Sequence, residues 1–391
     1  MIGKILQSRT ARKFLRNRLA LAASVIIGIY FLVAVFFFFG PITLDDTDVR
    51  VGPKHIRGLF MNAKPERRLE QLESYLHEVE TALASPNPEE GLADIKVGKL
   101  QVANKSLPEL QAIVDDCRRM YNNIAKSSDL DDGPRTLPEL ERLEKKKSEL
   151  FKPLDKYDST VQMFYVSLGT DRQGRSIALR AIFSIKVAFQ IGAVTSIISV
   201  LVGSFLGAAA AFFGGWVDHL VIWLYSTFSS VPNLVLLVVL AYAFSGTVFD
   251  GTLVPVYVSF CMTFWIGPCR VIRGETLKLK ELEFVHAARA MGFNRIYILL
   301  RHVIPNTAHL MLVNFSLLFI GAIKSEVILS FLGLGVKKGP SWGIMISQAK
   351  SEVITGYFWQ IGTATVFMVG LVLAFNILTD ALQDILDPKH V

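Results

Sequence analysis

The sequence predicts an all-α membrane protein with six transmembrane helices and a helical extracytoplasmic insert between the first and second spans. Two observations support this: the charged residues are unevenly distributed, and apolar stretches of about 20 residues recur. Residues 41–180 hold 24 of the 34 Asp and Glu residues and 22 of the 41 Lys and Arg residues. The other 251 residues therefore carry only 10 acidic and 19 basic side chains. This distribution excludes a lone water-soluble enzyme, because the apolar stretches match the hydrocarbon thickness of a bilayer.

The first apolar stretch, residues 19–39, follows a tail of basic residues that contains no acid. A cleaved signal peptide would have a shorter apolar region that ends in small residues, so we expect an uncleaved helix at residues 19–40. The further expected spans are residues 187–213, 220–244, 253–266, 309–334 and 355–378. Small residues inside them, such as Gly203 and Gly207, favour close packing of helices over contact with a substrate.

The basic residues also predict the orientation of the chain. Cytoplasmic segments are enriched in Lys and Arg, which places the tail at residues 1–18 inside the cell. The loop at residues 270–308 has seven Lys and Arg residues against three Glu residues, and six spans place it on the same side. We therefore expect both termini in the cytoplasm and residues 41–164 outside. The net charge of +7 lies next to apolar stretches, so it indicates a membrane rather than a nucleic acid as partner.

The charged insert at residues 41–164 has the pattern of short amphipathic helices. Apolar residues are spaced three and four apart over residues 69–83, 110–124 and 140–154, and the third set has Lys147 in a core position. Met120 belongs to the second set. Capping sequences at Ser106 and Thr136 indicate two helix starts. The insert is therefore expected to form two or three antiparallel helices packed like a small coiled coil.

The loop at residues 270–308 contains the candidate functional segment. Residues 281–292 are expected to form a short helix with a face of small residues, ended by Gly292, because Ala favours helices and Gly ends them. A second amphipathic piece should end at Pro305. Such a helix either docks into a groove of a partner or lies on the membrane surface.

Eight separate motifs follow one another in the second half of the chain. They are LGTDRQGR (168–175), FFGGWVD (212–218), RVIRG (270–274), EFVHAARAMG (283–292), RHVIPN (301–306), EVILSFLGLG (326–335), PSWG (340–343) and DALQDILDP (380–388). Together they resemble the inner-membrane permeases of binding-protein-dependent ABC importers. The resemblance is to the peptide/nickel group, and within it to the second permease of dipeptide and oligopeptide importers. It extends over residues 165–388, the expected permease core.

The resemblance implies a permease that takes up peptides by alternating access and is not itself an enzyme. Its implied partners are a second permease (the same chain or a homologue), two ABC ATPases that use ATP and Mg²⁺, an external solute-binding protein and the lipid bilayer of the inner membrane. This chain itself would bind no cofactor. The resemblance assigns the contact with the ATPase to a coupling helix, here with Glu283, His286, Ala287, Ala288, Arg289, Gly292 and Pro305.

The sequence departs from the family pattern in four places. His286 stands where the family has a glutamate, Ser176 replaces the usual acid, Lys324 lies within the fifth span, and the first external connection is unusually long. Lys324 and Glu326 would each cost about 2.5–3.5 kcal/mol facing lipid, so both are expected to face protein or water and are candidates for the translocation path. Lys324 could meet a peptide carboxylate, pair with another helix or extend toward the membrane surface.

Other chemistry is not indicated. The sequence has no phosphate-binding G-x-x-x-x-G-K-[ST] loop and no H-E-x-x-H or paired Cys/His pattern, so neither ATP hydrolysis nor a metal site is expected. Alternative functions are a nickel or peptide-antibiotic importer of the same family, a carrier or channel that works without ATP, and a receptor or scaffold built around the insert. The insert either docks the solute-binding protein or acts as a spacer or lid.

Overall fold

The computed structural model describes residues 17–40, 44–48, 51, 65–93, 95–97, 100–103, 105–126, 133–153, 156–244, 246–250, 252–336 and 339–386. Residues 1–16 of the expected basic tail and Leu154 of the insert lie outside these ranges. Most described residues are helical, in agreement with the expected all-α class.

The helices follow one another along the whole chain. They are α1 (Arg18–Phe39), α2 (Leu44–Asp48), α3 (Pro65–Leu83), α4 (Pro88–Ala93), α5 (Leu107–Lys126), α6 (Gly133–Ser148), α7 (Lys156–Tyr165), α8 (Ile177–Phe213), α9 (Gly215–Ser229), α10 (Asn233–Tyr242), α11 (Val254–Phe264), α12 (Ile266–Leu279), α13 (Glu283–Ala290), α14 (Arg295–Ile298), α15 (Ile304–Asn306), α16 (Ala308–Phe331), α17 (Trp342–Ile354) and α18 (Trp359–Leu386). A π-helix, Leu299–Val303, joins α14 to α15. The strands are β1 (Lys96–Val97), β2 (Leu100–Val102) and β3 (Phe151–Pro153).

Five segments of the described chain are long and apolar enough to cross a membrane singly. They are α1, α8, the continuous pair α11–α12, α16 and most of α18. The pair α9–α10 meets the same criterion but is bent by 85°, so the number of crossings is six if this pair counts as one. These segments confirm a membrane protein of the all-α class.

The third and fourth spans differ from their expected form, and α8 begins ten residues before the expected start of the second span at residue 187. The third, expected as one helix over residues 220–244, stops at Ser229 and restarts at Asn233. Pro232 explains the break, because it has no N–H to donate and keeps the preceding residue out of the helical conformation. The fourth runs to Leu279 rather than to residue 266, because Pro268 lies within the first turn of α12, where an N–H is not needed.

By its internal contacts the chain separates into two compact units. The first comprises Met1–Pro41, Phe183–Ser347 and Thr365–Val391, and the second comprises Ile42–Ile182 and Gln348–Ala364. In the first unit, Gly203 and Gly207 of α8 lie directly against the backbone of α11–α12. A Cβ atom at Gly207 would lie 2.3 Å from the carbonyl oxygen of Cys269. The expectation that these glycines serve helix packing is confirmed.

In the second unit, the insert helices α3, α5 and α6 share one hydrophobic core, as their apolar spacing predicts. Its buried residues are Leu69, Leu72, Leu76, Val79, Leu92, Ile95, Val102, Leu110, Val114, Cys117, Ile124, Leu140, Leu143, Leu150 and Phe151. Met120, expected in this core, is exposed, and Val114 and Tyr121 lie on the core side instead. A helix that packs against two others buries a wider face than the seam of a coiled coil, which explains this shift.

The insert also contains a small antiparallel sheet with strand order β1-β2-β3. Val102 of β2 lies opposite Phe151 of β3, which follows directly after α6. Strands of two or three residues are too short to show an alternating pattern, so the sequence did not predict them. Helix α6 begins at Gly133, three residues before the expected cap at Thr136.

Candidate coupling surface

Helix α13 is the expected short helix, with tighter limits than residues 281–292. Glu283 lies in its first turn and Arg289 in its last, where each charge interacts favourably with the helix dipole. Gly292 ends the helix with a φ of +80°. The N–H of Phe293 donates to the carbonyl oxygen of Ala288 at 3.2 Å, and that of Gly292 to Arg289 at 3.0 Å. This pair of bonds requires a left-handed residue, which explains the glycine.

One face of α13 is packed against its own chain. Val285 and Ala288 are buried in a cluster with Ala208, Phe212, Ile272, Ile298, Leu299 and Val303. These partners belong to α8, α12, α14 and the π-helix. The cluster therefore packs α13 together with α8 and α12, two membrane-spanning segments.

The opposite face of α13 is open. Glu283, His286, Ala287 and Arg289 are exposed, and the Arg289 guanidinium lies 5.3 Å from the centre of the Phe212 ring. The His286 Nε2 atom lies 4.0 Å from Glu281 Oε2, the length of a weak ion pair if the imidazole is protonated. Ala288 was expected on this open face, but it is only 2% exposed. Ala288 instead packs within the hydrophobic cluster that holds α13 against its own chain.

The segment after α13 is a helix with a local irregularity. The N–H of Ile304 reaches the carbonyl oxygen of Leu299, five residues earlier, which defines the π-turn. Pro305 then stands in the first turn of α15, and the helical path is interrupted at Thr307 before α16 begins. The expected end at Pro305 is therefore displaced by two residues. Pro305 shapes this junction because it has no N–H to bond to the preceding turn.

An ion pair connects α9 to α12, the membrane segments next to α13. Arg273 of α12 donates through Nε to Asp218 Oδ1 and through Nη2 to Asp218 Oδ2, both at 2.7 Å. Lys280 Nζ lies 3.3 Å from the carbonyl oxygen of Ala211 at the end of α8. Asp218 and Arg273 lie in two of the sequence motifs, but the motifs alone do not predict that they pair. Both motifs were expected on the same side of the membrane, and this shared location could have indicated the ion pair.

The two charged residues of the fifth span lie in different surroundings. Glu326 is 4% exposed, accepts a hydrogen bond of 2.6 Å from the Ser330 hydroxyl, and is also bonded to Ser341. It therefore holds the loop after α16 and faces protein, as expected from the sequence, and its place on the translocation path stays a prediction. Lys324 is exposed. Among the described residues, no three His, Cys, Asp or Glu side chains converge in a way that could hold a metal ion.

Two family models match this chain. Residues 199–390 match the model of the binding-protein-dependent transport system inner membrane component, and residues 7–55 match that of the N-terminal TM domain of oligopeptide transport permease C. The dipeptide transport permease DppC of Bacillus subtilis (strain 168) is 31% identical over 56% of this chain and 68% of its own length. The chain belongs to the binding-protein-dependent permease family.

Further relatives identify the branch of the family. The oligopeptide permease OppC of Haemophilus influenzae is 33% identical over 58% of this chain and 71% of its own length. The glutathione permease GsiD of Pectobacterium atrosepticum is 33% identical over 57% of this chain and 72% of its own length. The protein is thus an ABC peptide permease of the DppC/OppC type, an inner-membrane transport component. Residues 56–198, including the insert helices, lie outside both family models.

Proposed function

We propose that this permease is the transmembrane subunit of an ATP-driven importer that takes up peptides delivered by a solute-binding protein. The supporting observation is the two-sided packing of α13, with one face fixed to the spans through Val285 and Ala288 and the other exposed. A partner that pushes on the exposed face moves α8 and α12 with it, because packed interiors transmit strain.

The proposed assembly contains a second permease, two ABC ATPases and an external solute-binding protein. The ATPases bind ATP and Mg²⁺ and hydrolyse ATP, and this chain carries no catalytic residue. Both termini and α13 face the cytoplasm in this proposal, because the basic residues of the tail and of the loop at residues 270–308 favour that side. His286 contacts the ATPase as a hydrogen-bonding group in place of the family's glutamate.

Transport proceeds by alternating access in this proposal. ATP binding closes the two ATPases and displaces α13, and the hydrophobic cluster around Phe212 and Ile272 carries the displacement into α8 and α12. The Asp218–Arg273 pair makes α9 follow α12. A solute cavity shared with the second permease then opens on the other side of the membrane.

Peptides are the favoured cargo because of the relatives' names. They are named for dipeptide, oligopeptide and glutathione transport, and a relative in Agrobacterium fabrum is named for peptidoglycan transport. Each of these names denotes a peptide or a peptide-bearing solute, so we propose a small peptide with a free carboxylate as the substrate.

A pair of cysteine substitutions on α13 tests the coupling role. Ala287→Cys lies on the exposed face and Ala288→Cys on the buried one, so a bifunctional maleimide should link only Ala287→Cys to the ATPase. Native Cys117 and Cys269 are buried, but Cys261 is half-buried and is replaced by Ser in both variants. Linkage by neither variant, or peptide uptake that persists with an inactive ATPase, would contradict the proposed function.

A further inference from the structure

Lys324 differs from the other Lys and Arg residues in the interior of the described membrane-spanning segments, since each of those has a hydrogen-bond acceptor; Arg18, the first residue of α1, lies at a helix end. Lys186 Nζ donates to the carbonyl oxygen of Phe37 at 3.0 Å, and Arg180 pairs with Asp171 at 2.8 Å. In α12, Arg270 donates to Ser229, Arg273 to Asp218 and Lys278 to Glu275. No described residue hydrogen-bonds or ion-pairs with Lys324. Among the described residues, Lys324 therefore has neither a counter-ion nor a hydrogen-bond acceptor.

The side chain is also poorly placed to reach the membrane surface. Helix α16 has 24 residues and continues for seven residues beyond Lys324, a distance of about 10 Å. Long side chains on a helix point back toward its N-terminus, so Lys324 leans toward the middle of α16 and away from this nearer end. An ammonium group held there is not solvated by the headgroup region and requires a protein, water or ligand partner.

The surface around Lys324 provides space for such a partner. Gly321 lies one turn earlier, in the direction in which the lysine leans, and no heavy atom lies within 4 Å of where a Cβ would be. On the same open face of α16, Leu317 and Ile328 are 48% and 39% exposed. An open space with one cation and apolar flanks fits a carboxylate attached to a partly apolar molecule.

We propose that Lys324 and Gly321 form a subsite for the carboxylate of the transported peptide. The inference rests on the proposed function, because only a cargo that is moved through the spans reaches this depth. Every unmodified peptide carries a C-terminal carboxylate, so the subsite recognises the shared group and not a particular sequence. Lys324 binds this group as a compact positive charge. Because Gly321 has no side chain, the space next to the ammonium group is free for the carboxylate.

Vesicles containing the complete importer provide the test, with trialanine and trialanine amide as probes. The ratio of kcat/KM for the acid to that for the amide is measured in each variant. The solute-binding protein is the same throughout, so its own preference cancels between variants. Lys324→Gln should lower this ratio about tenfold, because loss of a charge-assisted bond affects only the charged peptide. Lys324→Arg should retain most of the ratio.

Two further variants separate the subsite from a general defect. Gly321→Leu keeps the charge but fills the space, and it should lower the same ratio. Leu312→Gln places the same amide group at another exposed position of α16, twelve residues before Lys324, and it should leave the ratio unchanged.

Equal loss of uptake of both peptides in Lys324→Gln would overturn the proposal, because it would indicate that Lys324 pairs with the second permease or with a lipid phosphate. An unchanged ratio would overturn it as well. Wild-type vesicles that take up neither peptide with ATP would instead contradict the proposed function, so the two failures are distinguishable.

Discussion

The carboxyl group of Glu352 is buried near the end of α17, with 1% of the residue exposed. Its Oε1 atom accepts a hydrogen bond of 2.9 Å from the N–H of Arg172. The pKa of this carboxyl is raised to about 7. Burial is the main cause and the neighbouring Asp171 adds to it, while the hydrogen bond from Arg172 and the positive charges of Arg172 and Arg180 act in the opposite direction. The network joins the motif at residues 168–175 to α17.

This raised pKa predicts a pH dependence of stability. An unfolded glutamate titrates near 4.3, so the folded protein binds an extra proton between about pH 4 and pH 7. The stability linked to Glu352 is present at low pH and is lost as the pH rises through 7. We expect Glu352→Gln to remove this part of the pH dependence, on the order of 2 kcal/mol, in thermal unfolding of the purified protein from pH 5 to pH 8.

Glu139→Gln, at an exposed position in α6, is the matched control and should leave the pH profile unchanged. A Glu352→Gln protein whose unfolding temperature still falls with pH as steeply as that of the wild type would show that another group titrates.

The close approach of α8 to α12 depends on Gly207. Because the clash would be with the backbone of Cys269, a methyl group cannot be accommodated by a side-chain rotation. Gly207→Ala should destabilise the protein by about 1–3 kcal/mol, as overpacking of a filled interior does. The unfolding temperature in detergent measures this loss. Gly267→Ala in α12 is the control, since no heavy atom lies within 4 Å of its Cβ position, and a similar loss there would refute the packing explanation.

At the scale of elements, the insert helices half-bury a lysine at the core position predicted from sequence. Lys147 Nζ lies 3.9 Å from the centre of the Tyr75 ring, a cation–π contact. Burial lowers the pKa of Lys147 to about 8, and Glu144 counteracts this in part. The unfolded chain has a lysine pKa near 10.4, so it binds more protons than the folded insert between about pH 8 and pH 10. Stability of the insert therefore rises with pH in that window.

Replacement of this charge by an apolar side chain should stabilise the insert. At neutral pH, we expect Lys147→Met to slow hydrogen exchange of the amides in α3, α5 and α6 by a factor of about ten, because a buried charge is removed. Exchange is measured by mass spectrometry on the full chain. Lys145→Met, in the same turn but exposed, is the control. Faster exchange in Lys147→Met would mean that the cation–π contact outweighs the cost of burial.

At the scale of the whole molecule, the insert is a folded addition to the permease family. Its core contains residues from Leu69 to Phe151 only. We expect replacement of residues 60–155 by a Gly/Ser linker to weaken binding of the solute-binding protein at least about fivefold, while Ala287→Cys still links to the ATPase. The fivefold figure corresponds to about 1 kcal/mol of contact energy. Unchanged receptor binding and uptake would identify the insert as a spacer or lid.

Features that depend on local composition were predicted from the sequence. The membrane class, most spans, the insert core and the end of α13 at Gly292 follow from apolar length, spacing and residue type. The predictions were wrong where the burial of a residue, or the formation of a strand, depends on a segment that is distant in sequence. Val114 is buried in the core and Met120 is exposed, because α5 packs against two helices. The three short strands form only by pairing with one another.

The candidate site shows the same division. The sequence by itself determined that a short helix with small residues lies within residues 281–292 and that Lys324 and Glu326 are charges inside a span. Only the tertiary structure decided that Ala288 faces inward, that Asp218 binds Arg273, and that Glu326 is enclosed while Lys324 is open. The physical reason is that helix formation and membrane partition depend on nearby residues, whereas the burial of one face depends on helices that the chain brings together from remote positions.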